Sequence, residues 1–158
     1  MRSTPKSVTS VPMTNGLEGA STLYLDANIL IYFIEGAPDL RARVGSVLAQ
    51  SDSRGIALAT SNLTIAECLH GAWRRRDRAL VNVYRGFFST NDLVRLVGID
   101  DEILAAAAEF AATCEIKLID AIHVASAVSA GCEALLTNDR RLRAPATVRV
   151  LQLGELEE

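Results

Sequence analysis

The sequence predicts an α/β fold in which a parallel sheet is wrapped by helices on both faces. Short apolar runs alternate along the chain with longer segments of helical periodicity, the pattern left by strand, crossover helix and next parallel strand. The length, 158 residues of which 49% are hydrophobic and 22% charged, suits one globular domain with a sizeable core and is too apolar for wholesale disorder.

Residues 1–21, rich in Ser, Thr, Pro and Gly and without the apolar core of a secretory signal, read as a flexible N-terminal extension, within which Met13 is a second candidate start. The domain is expected over residues 22–153, followed by an acidic tail at 154–158. Thr22 to Asp26 is an apolar run that closes on a carboxylate, a strand leading into a helix over Asn28 to Glu35. Gly36-Ala37-Pro38-Asp39 breaks that helix, and Leu40, Val44, Val47 and Leu48 then recur at helical spacing as far as Gln50. Ile56 to Thr60 is the second strand. Ser61 or Asn62 can cap a helix with Ile65, Leu69 and Trp73 on one face. A helix over Asp77 to Phe88 and a strand over Leu93 to Val97 follow, then an alanine-rich helix from Asp100 to about Cys114 whose first acids suit the helix dipole. Ile119 to Ala130 is apolar on nearly every face and is expected to be a buried helix. Ala134 to Thr137 and Val148 to Leu151 complete the strands.

Composition excludes several function classes. No apolar run approaches the ~18 residues of a membrane-spanning helix. The three cysteines, Cys68, Cys114 and Cys132, are odd in number and widely spaced, which fits neither a disulfide framework nor a thiolate zinc site and suits a reducing cytoplasm. A net charge of −3 gives no global attraction for polyanions, so nucleic-acid binding requires local basic patches. Fourteen of the sixteen basic residues are arginine, the side chain suited to bidentate phosphate contact.

In an open parallel sheet the functional crevice lies outside the carboxyl ends of the strands. Asp26 closes the first strand, and Asp139 lies just beyond the strand ending at Thr137. Two further acids stand isolated in apolar helices: Glu67 is the only carboxylate between Asp52 and Asp77, and Asp120 the only one between Glu115 and Glu133. A buried unpaired carboxylate costs several kcal/mol or takes up a proton, and one shared hard cation, Mg²⁺ or Mn²⁺, satisfies all four economically. Singly, each has a structural explanation: Asp26 as a helix cap with Asn28 stabilising the turn, Asp120 as a first-turn residue, Asp139 in an Asx turn, and Glu67 at the surface or paired with Arg74, Arg75 or Arg76. Together, their placement favours a site. His70 and His123 each lie one helical turn from an acid, which points to packing or to orienting that acid. Trp73 and Tyr84 could stack on bases, although core roles are commoner.

Leu23-Tyr24-Leu25-Asp26-Ala27-Asn28, then Glu67 in a helix after Thr60-Ser61, then Leu118-Ile119-Asp120-Ala121-Ile122-His123-Val124-Ala125, then Leu136-Thr137-Asn138-Asp139 resemble the successive motifs of PIN-domain ribonucleases, most closely the VapC-type toxins of prokaryotic toxin–antitoxin pairs. The resemblance runs from Thr22 to about Leu153, and the long N-terminal extension departs from it. It implies a three-layer α/β/α PIN-like fold with a central parallel sheet. It also implies that Asp26, Glu67, Asp120 and Asp139 are the acidic quartet that binds Mg²⁺ or Mn²⁺ and catalyses RNA hydrolysis to a 3′-hydroxyl and a 5′-phosphate, with Asn28, Thr137 and Asn138 as supporting polar residues. Within the quartet, Asp26 and Asp120 would be the main ligands, Glu67 a ligand or water-orienting base, and Asp139 a ligand through water. A cognate antitoxin protein, a homodimer and a cytoplasmic location are further implications.

Arg74, Arg75 and Arg76, with Arg78, near the end of the Glu67 helix, and Arg140 and Arg141, with Arg143, just past Asp139, are candidate RNA contacts, each equally explained as a solvated face. Competing enzyme classes fit less well. There is no phosphate-cradling G-x-x-x-x-G-K-[ST] loop, and a haloacid-dehalogenase-like phosphatase needs a second Asp where Asn28 stands. The remaining alternative is an RNA- or protein-binding PIN-like module whose acids have structural roles only.

Overall fold

A computed structural model describes residues 16–156; the expectations for residues 1–15, Met13 included, and for residues 157–158 lie outside the described residues. The elements run β1 (Thr22–Leu25), α1 (Ala27–Glu35), α2 (Pro38–Ser53), β2 (Ala57–Ser61), α3 (Asn62–Arg74), α4 (Arg78–Thr90), β3 (Arg95–Val97), α5 (Asp101–Thr113), α6 (Leu118–Ser129), β4 (Ala134–Thr137) and β5 (Arg149–Gln152), closing with a 3₁₀ turn at Leu153–Glu155. The five strands form one sheet in the order β3-β2-β1-β4-β5, every pair parallel.

Because β1 is the middle strand, its side chains are buried on both faces and sort by parity. Leu23 and Leu25 join Ile29 and Leu30 of α1 and Val44, Val47 and Leu48 of α2 in one core layer. Tyr24 points the other way, into a layer with Val124 and Ala127 of α6, Ala59 of β2 and Leu135 of β4. α5 packs outside α6 through Ile103, Ala107, Ala121 and Ala125. α3 and α4 close a smaller cluster around Cys68, Ala72, Val81 and Tyr84. The result is the expected three-layer α/β/α arrangement.

The differences from expectation have local causes. Pro38 does not merely break the preceding helix; it opens α2 at its first position, where its missing N–H costs nothing and its fixed φ suits a helix. α3 buries Thr64, Cys68 and Ala72, leaving Trp73 47% exposed, so the face turned inward is rotated from the one carrying Ile65, Leu69 and Trp73. α6 is not buried all round: Leu118 and Ile119 at its start and Val128 near its end are exposed, because α5 and the sheet cover only its middle. Leu17, inside the segment expected to be a flexible extension, is buried at 2% exposure against the α1/α2 layer. Leu156, in the expected acidic tail, is buried in the same layer. Each flank thus carries a leucine with apolar surface to bury.

The strand order places a topological switch between β1 and β4: the chain leaves β1 toward β2 on one side, and β4 returns to the other. Loops leaving adjacent strands in opposite directions open a crevice at their carboxyl ends. Asp26 and Asp139 stand there.

Candidate active site at the carboxyl edge of the sheet

Asp26 follows β1 and caps α1, and its backbone N–H donates to the Leu136 carbonyl of the neighbouring strand at 3.0 Å. Its carboxylate is almost fully used within the fold. Oδ1 accepts the Ala27 N–H at 2.8 Å, while Oδ2 accepts the Thr137 hydroxyl at 2.7 Å and the Asn28 amide at 3.2 Å. Thr137, itself fully buried, also accepts the Asp139 N–H at 3.0 Å and the Asn28 amide at 3.3 Å. One hydroxyl thus ties the acids at the ends of β1 and β4 together. Asn138 stands outside this knot: its N–H donates to Asn28 Oδ1 and its side chain to the Tyr32 hydroxyl, both at 3.3 Å, pinning the loop against α1.

Glu67 reaches the same region from α3. Its Oε2 accepts His123 Nε2 at 2.6 Å, and that same nitrogen lies 3.6 Å from Asp26 Oδ1. His123 is fully buried in α6, one turn beyond Asp120 in the first turn of that helix. Burial and the nearby charges of Asp26 and Asp139 push the Asp120 carboxyl above the usual carboxylate range, with Glu67 adding to and His123 opposing the effect. The four acids therefore share one electrostatic neighbourhood. Asp139 is held below the usual range, first by the Arg141 N–H and then by the Arg141 side chain and the charge of Lys117.

The sequence reading missed two participants. Lys117, the residue preceding α6, places a cation within reach of Asp139; its position three residues before Asp120 was the available signal. Tyr24 was counted only as a strand residue, yet its hydroxyl lies 2.7 Å from His123 Nδ1 and accepts the Ser61 N–H at 3.0 Å. Nothing in an apolar strand marks one tyrosine hydroxyl as structural.

The basic candidates divide. Arg75 is committed to the fold, pairing with Glu35 at 2.5 Å, and Glu35 also accepts the hydroxyl of the buried Tyr84 at 2.5 Å, so Tyr84 is a core residue and not a base-stacking one. Arg141 is turned onto Asp139, with Nε at 3.4 Å. Arg74 and Arg76 are exposed around the end of α3, Arg76 in the left-handed region at φ 55°. Arg140 is exposed next to Asp139 and, with Arg143, Pro145, Val148 and Gln152, lines an open cavity of about 450 Å³. His70 is exposed on α3.

The PIN domain family model matches residues 23–148. The chain belongs to the PIN domain family. No curated protein sequence matches it. Among solved structures, FitAcB from Neisseria gonorrhoeae superposes with a TM-score of 0.67 at 21% identity, covering 85% of this chain and 99% of that one. A toxin–antitoxin complex from Klebsiella pneumoniae gives 0.61 at 22% identity, covering 80% and 94%. VapC20 from Mycobacterium tuberculosis, a sarcin–ricin loop cleaving toxin, gives 0.60 at 15% identity, covering 72% and 86%. The PIN assignment removes the phosphatase alternative. No helix among the described residues is long and apolar enough to cross a membrane.

The donor set of this PIN site suits a hard divalent cation. Asp26, Glu67, Asp120 and Asp139 offer carboxylate oxygens, and the nearest imidazole, His123, has both ring nitrogens engaged; oxygen-only donors favour Mg²⁺ or Mn²⁺ over zinc or copper. After burial, the negative charge of Asp26 and Asp139 is what raises the Asp120 carboxyl, and a bound cation would offset that charge. As the side chains stand, no three His, Cys, Asp or Glu groups among the described residues converge to metal-binding distance. Oxygens of Asp26, Glu67 and Asp139 are instead engaged by Thr137, Asn28, His123 and Arg141.

Proposed function

We propose that this PIN domain is a Mg²⁺- or Mn²⁺-dependent endoribonuclease and the toxin of a toxin–antitoxin pair. The observation that supports the reading is the set of linked acids at the β1/β4 switch: Asp26 is tied to Asp139 through Thr137 and lies 3.6 Å from the His123 nitrogen that holds Glu67, with Asp120 one turn from His123. Support for RNA as substrate comes from VapC20, a sarcin–ricin loop cleaving toxin of the same fold. Support for an antitoxin partner comes from the Klebsiella complex. A homodimer and a cytoplasmic location belong to the same proposal.

In this reading Asp26 and Asp120 would hold the metal, with Glu67 and Asp139 completing the oxygen set. When bound there, the ion would supply Lewis-acid chemistry to the phosphodiester and the attacking water. Asn28 and Thr137 keep Asp26 oriented by donating to Oδ2. Glu67, whose side chain is 31% exposed while its partner His123 is fully buried, presents an oxygen at the rim, where it can orient an attacking water. Lys117 and Arg140 flank the acids and offset the repulsion that the carboxylates impose on a phosphate backbone. The mild net acidity of the chain therefore says little about RNA binding; the position of four carboxylates says more.

The test is incubation of the purified protein, freed of any bound partner, with cellular RNA. Cleavage that requires Mg²⁺ or Mn²⁺, stops on chelation and leaves 3′-hydroxyl and 5′-phosphate ends supports the reading. Intact RNA together with no calorimetric binding of either ion would reduce the domain to a binding module.

A further inference from the structure

We infer that Tyr24 and His123 are positioning residues that clamp Glu67 for catalysis, an inference that rests on the nuclease reading above. A polar chain crosses the layer between the sheet and α6. The Ser61 N–H donates to the Tyr24 hydroxyl at 3.0 Å, that hydroxyl meets His123 Nδ1 at 2.7 Å, and His123 Nε2 meets Glu67 Oε2 at 2.6 Å. Tyr24 and His123 are both fully buried, with their rings packed edge to face at a centroid distance of 5.8 Å.

Packing alone does not require either polar group. Tyr24 sits among Ala59, Val124 and Leu135, where phenylalanine would fill the same space. His123 sits in a helix whose other buried positions are alanine, valine and serine. Desolvating a phenol and an imidazole costs free energy that only their hydrogen bonds recover, and those bonds run from the cap of α3 at Ser61 to a carboxylate at the rim of the site.

The arrangement grips α3 at two points. Ser61 is the residue that caps α3, and Glu67 lies farther along the same helix, so Tyr24 holds the start of the helix directly and Glu67 through His123. The grip does not depend on the charge of the imidazole. Nε2 carries a hydrogen toward Glu67 both in the neutral tautomer protonated at Nε2 and in the imidazolium, and a hydroxyl can either donate to Nδ1 or accept from it. The same Nε2 lies 3.6 Å from Asp26 Oδ1, too far for a hydrogen bond, so Glu67 is the acid that the ring holds.

The experiment is a double-mutant cycle on the full chain, combining Tyr24→Phe or His123→Gln with Glu67→Gln, read by kcat and KM for RNA cleavage and by Mn²⁺ affinity from calorimetry. The expected result for His123→Gln is a fall in kcat and a weakening of Mn²⁺ binding of about 10-fold or more, the range seen when an outer partner of a metal ligand is removed, with KM for RNA changed less than about twofold. Tyr24→Phe, which retains the ring, follows in the same direction with a smaller loss. In the Glu67→Gln background neither substitution has a further effect, because both act through that carboxylate. Effects that simply add to that of Glu67→Gln, or wild-type kcat and Mn²⁺ affinity in a folded Tyr24→Phe protein, overturn the inference while leaving the nuclease reading intact. A wild-type protein that neither binds Mn²⁺ nor cleaves RNA overturns both. If His123→Gln does not fold, Tyr24→Phe carries the test, since it deletes one oxygen and no carbon.

Discussion

Replacing Thr137 by valine exchanges a hydroxyl for a methyl group at a fully buried position and removes the connection between the two strand-end acids. Three hydrogen bonds are lost: the hydroxyl to Asp26 Oδ2 at 2.7 Å, the Asp139 N–H to the hydroxyl at 3.0 Å, and the Asn28 amide to the hydroxyl at 3.3 Å. The first is charge-assisted, of the class worth about 1.5–3 kcal/mol, the second is a neutral bond of about 0.5–1.5 kcal/mol, and the third is long and adds little. The expected loss of stability is therefore about 2–4.5 kcal/mol. Urea unfolding followed by two probes measures it as a fall in midpoint at constant slope. Because Asp26 loses its shortest donor, RNA cleavage should also fall by about 10–100-fold, as for other partners that orient a metal-binding carboxylate. A variant within about 0.5 kcal/mol of wild type, the usual spread for substitutions that touch no special feature, and equally active would refute the claim that Thr137 organises the site.

Other consequences can be checked separately. Removing the charge of Arg140, which is exposed beside Asp139, should lower the salt dependence of RNA binding by about one phosphate contact, whereas Arg75→Gln should leave that slope unchanged because Arg75 is spent on Glu35. Glu133 accepts the Ser21 hydroxyl and the Thr22 N–H in front of β1, and these donors hold its carboxyl below the ordinary range. A group with a depressed folded pKa stabilises the fold above its unfolded pKa and loses that contribution as pH falls through the folded value. The stability gap between wild type and Glu133→Gln should thus be full at neutral pH and shrink below about pH 4.5; a gap independent of pH would count against the ionised contact. Gly36 closes α1 where a Cβ would lie 2.3 Å from the Tyr32 carbonyl oxygen. Gly36→Ala should cost about 1–3 kcal/mol through forced backbone movement, read as a lowered thermal midpoint.

The order of strands and helices was readable because each segment carries its own period. β1 and β4 are short apolar runs between polar punctuation, and parity alone sends Leu23 and Leu25 to one face and Tyr24 to the other. The acids were readable for a related reason: Glu67 and Asp120 interrupt apolar helices in which no other carboxylate stands, and such an interruption requires a partner. What could not be read were the pairings. His123 meets Glu67 across 56 positions, Thr137 meets Asp26 across 111, and Arg75 meets Glu35 across 40, and no local pattern specifies contacts of that span. The inward face of α3 was misjudged because Trp73 is large and apolar, while the helix buries the smaller Thr64, Cys68 and Ala72 where α4 and α1 approach closely. The burial of α6 was overstated because an apolar composition does not reveal that its first turn projects past the sheet, leaving Leu118 and Ile119 exposed beside Asp120.

The central claim is that Asp26 serves the chemistry as well as the fold. Asp26→Asn keeps the shape of the side chain and an oxygen for the Ala27 N–H, while removing the negative charge that the proposed metal needs. The decisive measurement is the rate of RNA cleavage by the folded Asp26→Asn protein at saturating Mg²⁺, beside wild type under the same conditions. Loss of cleavage in a variant that unfolds cooperatively like wild type is the predicted result; retained cleavage would contradict the assignment of this site.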